Sequence, residues 1–251
     1  MKLIPIHASD MTVLIAQLAS VDISVPGRIE GRTSGNTEAW TLCRLLATLA
    51  NAGELRFPLS AAGRERPDFL LELAGRLIGI EVTEAITAEF AAFCALAERE
   101  FPGVWFSLAQ FRMGGKCKTP EDMRAVLRGD VSMGDGWVGD SPEREWASYI
   151  ADAVSKKGRN LVKVGFETFD ENWLSMYDNL PVPNIHLGDA IKLLRPLLEE
   201  HWDSTPSFDR VFIEHGQVIA CVSRHEASQL ELNDLWQPSG QVDAEQVPFL
   251  P

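Results

Sequence analysis

The sequence contains few cysteines and no apolar run that would cross a membrane. The four cysteines lie far apart, and no two have the spacing of a metal-binding pair; they are Cys43, Cys94, Cys117 and Cys221. Neither a disulfide framework nor a zinc cluster is therefore expected. The longest apolar runs, such as residues 42–50, contain polar interruptions and fall short of the roughly 20 residues that span a bilayer. No signal peptide is recognised, so we expect a cytoplasmic protein with no membrane partner.

Positive charge is also scarce. The chain has 23 Lys and Arg residues against 36 Asp and Glu residues, which gives a formal net charge of −13 at pH 7. Such a charge repels polyanions at long range and counts against a protein that coats nucleic acids. It does not exclude a nuclease, because a local basic rim or a bound divalent cation can offset the net charge. Arg112, Lys116 and Lys118 form the densest basic cluster, which would suit either phosphate contact or a solvated loop.

Helix-like and strand-like segments alternate along the chain, which favours an α/β or α+β fold. Two strand-like runs, at 68–73 and 77–83, flank a Gly-containing turn and predict a β-hairpin. A second hairpin is predicted at 208–214 and 217–223. Further strands are expected at 55–59, 104–111, 161–166 and 172–177. Helices are expected at 11–19, 84–100, 143–157 and 187–201, with two more beginning near Ser34 or Asn36 and at Pro120.

The second strand of the first hairpin has a carboxylate in a hydrophobic setting. Residues two apart share a face of a strand, so apolar side chains at 78, 80 and 82 alternate with Gly79, Glu81 and Thr83. A buried carboxylate needs a partner, and a metal ion is one. Asp68, at the start of the preceding strand, can approach Glu81 across the hairpin. Two carboxylates with a backbone carbonyl and waters suit Mg²⁺, which can promote phosphodiester hydrolysis.

A purely structural role for the same residues stays open. Asp68 would then cap its strand, and Glu81 would form a salt bridge with an arginine such as Arg66 or Arg76. A buried ion pair is the other common way to keep such a charge in a protein interior.

The arrangement resembles the signature of the PD-(D/E)XK superfamily, in which Pro-Asp, a hairpin and Glu-x-Lys follow in order. Here the motif reads Pro67-Asp68, then Glu81-Val82-Thr83. The resemblance covers residues 36–100 and extends more loosely through 173–178. It implies a restriction-endonuclease-like α/β fold, with a central mixed sheet flanked by helices over residues 36–225. Residues 101–142 would be an insertion, 1–35 an N-terminal extension and 226–251 an acidic tail.

The resemblance also implies a site. Asp68 and Glu81 would bind Mg²⁺ or Mn²⁺, and Glu38, in the first core helix, would be a further acidic member. The expected activity is that of a nuclease or phosphodiesterase, with nucleic acid as the partner.

The sequence departs from the family pattern at the lysine, which is replaced by Thr83. A threonine would line the site without supplying positive charge. Lys157, beside Lys156 at the end of a predicted helix, is a candidate replacement. The alternative is that both lysines are solvated cations favoured by the helix dipole.

Two other hypotheses remain. In the first, the chain is a catalytically inactive member of the fold and acts as a binding or assembly module; Thr83 and the charge of −13 favour this hypothesis. In the second, the chain has a different α/β fold. In the latter, Asp68 and Glu81 would point away from each other.

Overall fold

Eight strands form one open mixed sheet with helices on both faces, so the predicted α/β class is confirmed. The computed structural model describes residues 5–112, 114–131, 134 and 136–235. The strands lie in the sheet in chain order: β1 (Ile6–Ala8), β2 (Leu59–Gly63), β3 (Phe69–Leu73), β4 (Arg76–Ala85), β5 (Glu171–Asp178), β6 (Arg210–His215), β7 (Val218–Ser223) and β8 (Ala227–Glu231). Strands β4, β5 and β6 are parallel, and the other neighbouring pairs are antiparallel.

Seven α-helices and one 3₁₀ helix occur in the described residues. They are α1 (Met11–Ser20), α2 (Ser34–Asn51), α3 (Ala88–Glu100), the 3₁₀ helix (Leu108–Phe111), α4 (Pro120–Arg128), α5 (Ser141–Gly158), α6 (Leu187–Leu197) and α7 (Glu199–Asp203). The predicted start of α4 is confirmed, because Thr119 and Asp122 form a capping box before Pro120. Within the described ranges, no helix combines the length and apolar character needed to span a membrane.

The alternation of side chains along the strands separates two hydrophobic cores. Ile80 and Leu71 face α1 and α2 on one side of the sheet. Leu174 and Met176 face α5, α6 and α7 on the other. A third, smaller cluster joins α3 to the 3₁₀ helix and α4, and Phe93 is fully buried in it. Since burial of a large apolar side chain contributes about 1.5–3 kcal/mol, these clusters fix the helices against the sheet.

Both predicted hairpins are confirmed. The turn between β3 and β4 has positive φ angles at Ala74 (49°) and Gly75 (88°), and Gly216 has a φ of 59° in the turn between β6 and β7. Pairing in the first hairpin ends with Phe69 opposite Ile80. The residues just beyond this pair, Asp68 and Glu81, therefore lie next to each other.

Two predicted strands are wrong. Residues 104–111 contain the 3₁₀ helix, because Phe111 turns inward to pack against Phe90 and Phe93. Residues 161–166 form turns, although their apolar residues alternate as in a strand. Val164 is 97% exposed, so this alternation does not reflect burial against the sheet.

Several predicted boundaries are shifted. The strand expected at 55–59 begins at Leu59, after Pro58, because a proline cannot donate a ladder hydrogen bond. The helix expected from residue 84 begins at Ala88, since β4 continues to Ala85. The helix expected at 187–201 divides at Leu198, where Pro196 lies in the last turn of α6 and lacks an N–H group.

The segments outside the expected core contribute to the sheet. Strand β1 pairs with β2, and α1 packs into the first core, so residues 6–20 form part of the folded unit. Strand β8 likewise pairs with β7. The rest of the predicted acidic tail, residues 236–251, lies outside the described residues.

The close approach at Gly79 generates the first prediction. A Cβ atom there would lie 2.8 Å from Phe169 Cδ2 and 2.9 Å from Pro67 Cγ. Replacing Gly79 with alanine is therefore expected to lower the free energy of unfolding by about 1–3 kcal/mol, as overpacking does in other cores. Urea denaturation measures this change. In the control variant Gly188→Ala, the nearest of the surrounding atoms is Gln229 Nε2 at 3.5 Å, and stability is expected to be unchanged or higher. Equal effects at the two positions would contradict the prediction.

Candidate active site

The hairpin between β3 and β4 brings Asp68 and Glu81 together. Asp68 Oδ2 accepts a hydrogen bond of 2.7 Å from the backbone N–H of Val82, which fixes the aspartate against β4. Glu81 is 7% exposed and lies on the sheet face covered by α5. Asp68 and Glu81 lie side by side beyond the Phe69–Ile80 pair, and Asp68 reaches the backbone next to Glu81, so the expected divergence of the two carboxylates is not observed.

A lysine from α5 reaches this pair of acids. Lys157 Nζ donates a hydrogen bond of 2.9 Å to Glu81 Oε1 and one of 3.1 Å to the carbonyl oxygen of Val82. Its side chain is 25% exposed, so it is not a freely solvated cation at the helix end. Its position at the end of a predicted helix made this residue a candidate in the sequence, and in the structure it lies beside Glu81.

The alternative partners of Glu81 lie elsewhere. The Arg76 guanidinium pairs with Glu171 at 2.9 Å. Arg66 Nη1 lies 3.5 Å from the carbonyl oxygen of Val164. The expectation of an arginine salt bridge to Glu81 is therefore wrong, because the amine that reaches the carboxylate belongs to Lys157.

Negative charge in the site exceeds what Lys157 compensates. The pKa of Asp68 is raised to about 7, first because burial disfavours the carboxylate and then because Glu81 and Glu38 add like charge. The Val82 N–H and the Lys157 ammonium lower the pKa of Asp68, because both stabilise its carboxylate form. Asp68 therefore titrates near neutral pH, as groups at functional sites often do.

Glu38 and Thr83 line a pocket beside these residues. Glu38 lies in the first turns of α2, which begins on the opposite face of the sheet and passes the end of β4. The pocket has a volume of about 230 Å³ and is lined by Ser34, Thr37, Glu38, Val82, Thr83, Glu84 and Lys157. Thr83 lines this pocket from β4, while Lys157 reaches it from α5. All five predicted site residues are near this end of β4.

The oxygen donors fit a hydrated divalent cation. Mg²⁺ prefers carboxylate and carbonyl oxygens and is commonly bound through only one or two carboxylates while it keeps several waters. Asp68 and Glu81 supply two such carboxylates, and the raised pKa of Asp68 reflects negative charge that a cation would relieve. A cluster of three or more acidic, His or Cys side chains able to hold a metal does not occur in the described part of the chain. A site here would therefore depend on two carboxylates and water.

Comparison with protein-family models, curated proteins and solved structures finds no match for this chain. The function must therefore be inferred from the chemistry of its own residues. The residues around Asp68 and Glu81 then become the main source of information.

Glu84 is a member of the pocket that the sequence did not indicate. Arg28 donates to it at 2.5 Å, Arg32 at 3.3 Å and Asn179 at 2.8 Å. Its charge is therefore compensated, unlike that of Asp68. Both arginines come from the loop before α2, more than 50 residues away in sequence, so no local pattern predicts this cluster.

A second polar network occupies the carboxyl ends of β5 and β6. Asp178 Oδ2 lies 2.7 Å from His215 Nδ1 and accepts a hydrogen bond of 2.5 Å from Trp146 Nε1. His215 thus pairs with Asp178. Since both residues end strands of the parallel part of the sheet, the strand order would have indicated this pair.

The raised pKa of Asp68 predicts how stability depends on pH. Between the ordinary value of 3.8 and about 7, the folded protein binds more protons than the unfolded chain, so stability falls as pH rises through this window. Between about pH 5 and pH 8, ionisation of Asp68 should lower the free energy of unfolding by about 2–3 kcal/mol. Asp68→Asn should remove that loss. Urea denaturation across this range, with a chelator present, measures it.

The control for this pH dependence is Asp189→Asn. Asp189 is exposed, and Lys192 lowers its pKa, so its contribution changes only below the tested range. The control variant should follow the wild-type pH profile. A wild-type profile in the Asp68→Asn variant would contradict the prediction.

The contact between Lys157 and Glu81 predicts energetic coupling. Lys157→Met should destabilise the protein by about 1–3 kcal/mol, because Glu81 would remain buried without a cation. The further change Glu81→Gln should recover part of that loss, which a double-mutant cycle detects as coupling above about 1 kcal/mol. The exposed pair of Lys192 and Asp189 is the control, and its coupling should stay below about 0.5 kcal/mol. Equal coupling in both pairs would disprove the special role of the buried contact.

Proposed function

We propose that this chain is a divergent PD-(D/E)XK-like nuclease or phosphodiesterase that requires Mg²⁺ or Mn²⁺. The observation that carries the proposal is the position of Lys157, whose ammonium lies 2.9 Å from Glu81 Oε1. The positive charge missing at Thr83 is thereby supplied from α5. The acidic pair and a lysine, the parts that the family motif combines in one hairpin, meet here from two elements.

The order of elements supports a restriction-endonuclease-like core. Helix α2, strand β2, the hairpin of β3 and β4, helix α3 and, further along the chain, strand β5 follow the order helix, strand, hairpin, helix, strand of the superfamily core. The antiparallel hairpin continues into a parallel pair at β4 and β5. The 3₁₀ helix and α4, within the proposed insertion at 101–142, pack against α3 in a small core of their own, and α5 follows before β5.

Each site residue has a role in this proposal. Asp68 and Glu81 would hold the cation, which when bound would polarise a phosphate and activate water. The Lys157 ammonium would stabilise negative charge that develops on a phosphate oxygen, as fixed cations do in other active sites. Glu38 would orient water or accept its proton, or hold the ion as an outer ligand. The Thr83 hydroxyl would contribute a hydrogen bond at the pocket wall.

One observation favours the second candidate, a catalytically inactive binding or assembly module. Lys157 already donates to Glu81 and to the carbonyl oxygen of Val82, so this part of the site is satisfied without a metal. The net charge of −13 also favours this candidate.

A cleavage assay separates the two candidates. Wild-type protein with Mn²⁺ or Mg²⁺ is expected to cleave single- or double-stranded DNA or RNA. Glu81→Gln and Lys157→Gln should each reduce the rate by about 100-fold or more, since the first removes a carboxylate that would hold the cation and the second a positive charge that would stabilise the reacting phosphate. The control is Glu72→Gln, an exposed acid on β3 of the same hairpin, which should retain the wild-type rate.

Metal binding gives an independent measurement. Mn²⁺ should raise the melting temperature of the wild-type protein, since a ligand that binds only the folded state stabilises it. The rise should disappear in Asp68→Asn. Absence of both cleavage and stabilisation would favour the inactive module, and full activity in Glu81→Gln would disprove the assignment of the site.

A further inference from the structure

A basic cleft lies beside the candidate active site, along the carboxyl-terminal half of α5. We call it the α5 cleft; it has a volume of about 650 Å³. Its wall includes Ile86, Tyr149, Lys156, Arg159, Asn160 and Lys163. It shares Thr83, Glu84 and Lys157 with the pocket of the candidate site, so the two spaces adjoin.

The cations of the α5 cleft differ from most others in this protein. Most described Lys and Arg side chains lie within 4.0 Å of an acidic group. Within the described ranges, the side chains without such an ion pair are Arg56, Arg66, Lys116, Lys156, Arg159, Lys163 and Arg195. Three of these seven line the α5 cleft, although acids are in excess throughout the chain.

A fourth unpaired cation lies at the same edge. Arg66 Nη1 is 3.5 Å from the carbonyl oxygen of Val164, the residue that follows Lys163. Four of the seven cations without an ion pair therefore lie along the α5 cleft and its edge.

The helix dipole explains only part of this cluster. The carboxyl end of α5 favours cations near Lys156, but the effect falls off within one turn and does not reach Lys163. Two acids also line the cleft: Glu84 is compensated by Arg28 and Arg32, and Asp152 is exposed. The remaining charge of the cleft is positive.

We infer that the α5 cleft binds the phosphodiester backbone of a nucleic-acid strand and leads it to Asp68 and Glu81. Several lysines spread along one groove match the regular charges of a phosphate backbone, and lysine contacts phosphates without requiring a fixed geometry. This inference names the path of the substrate and thus rests on the proposed function. It also explains how an acidic protein would hold a polyanion, since attraction would be local to the cleft.

The test is binding of labelled oligonucleotides, measured by fluorescence anisotropy with a chelator present so that no cleavage occurs. Lys156→Gln/Lys163→Gln is expected to raise the Kd by about tenfold or more, with either a single-stranded or a duplex probe. The slope of log Kd against log salt should fall by about one for each lysine. The matched control is Arg56→Gln/Lys116→Gln, which removes two unpaired cations outside the cleft and should change the Kd by less than about twofold.

The outcomes separate this inference from the proposed function. Equal weakening by both double variants, or no binding by the wild-type protein, would overturn the cleft as the binding path. Binding through the cleft without metal-dependent cleavage would support the inference while the nuclease proposal fails. Cleavage by wild type together with an unchanged Kd in the cleft variant would support the nuclease and overturn the inference. Thermal melting of each variant shows that it remains folded.

Discussion

The contact between Lys157 and Glu81 joins helix α5 to the β-sheet, and the candidate site depends on both. Glu81 lies in the middle of β4, where its side chain is 9% exposed. A carboxylate so placed is strongly unfavourable without a partner, because burial removes its hydration. The end of α5 must therefore lie over this part of the sheet. Since Lys157 also donates to the Val82 carbonyl, the same amine fixes both the carboxylate and the backbone from which Asp68 receives its hydrogen bond.

Charge is divided around this contact into two regions of opposite sign. Asp68, Glu81 and Glu38 place negative charge at the end of β4, and the unpaired lysines of the α5 cleft lie on its other side. Glu84 lines both spaces, and its negative charge is compensated by Arg28 and Arg32. A metal-dependent phosphodiesterase needs both regions, because carboxylates that hold a cation would otherwise repel the phosphate that must approach it.

The parts of this arrangement that the sequence predicted are those fixed by local patterns. Alternation along β4 was enough to put Glu81 on a different face from Ile80, and the end of a predicted helix made Lys157 a candidate. Local patterns failed where burial or pairing depends on distant elements. The alternation at 161–166 resembles a strand, yet no described strand pairs with it.

The same limit applies to the basic residues. The densest run of cations, near residues 112–118, is largely neutralised after folding, since Arg112 pairs with Glu145 and Lys118 lies 3.7 Å from Glu89. Lys156 and Lys163 are less concentrated in sequence but remain unpaired with described acids. Which cations stay available is decided by long-range contacts, and the sequence order contains little information about them.

Asp68 gives a physical reason to prefer a metal site over a simple buried salt bridge. A structural bridge needs only Glu81 and Lys157, and a second carboxylate beside it adds repulsion. Asp68 adds this repulsion, since burial and the charge of Glu81 raise the pKa of Asp68 to about 7. Near neutral pH this arrangement costs stability that the Val82 N–H and Lys157 do not fully recover. Either a proton on Asp68 or a divalent cation between the two carboxylates would offset the cost, and only the cation would do so well above pH 7.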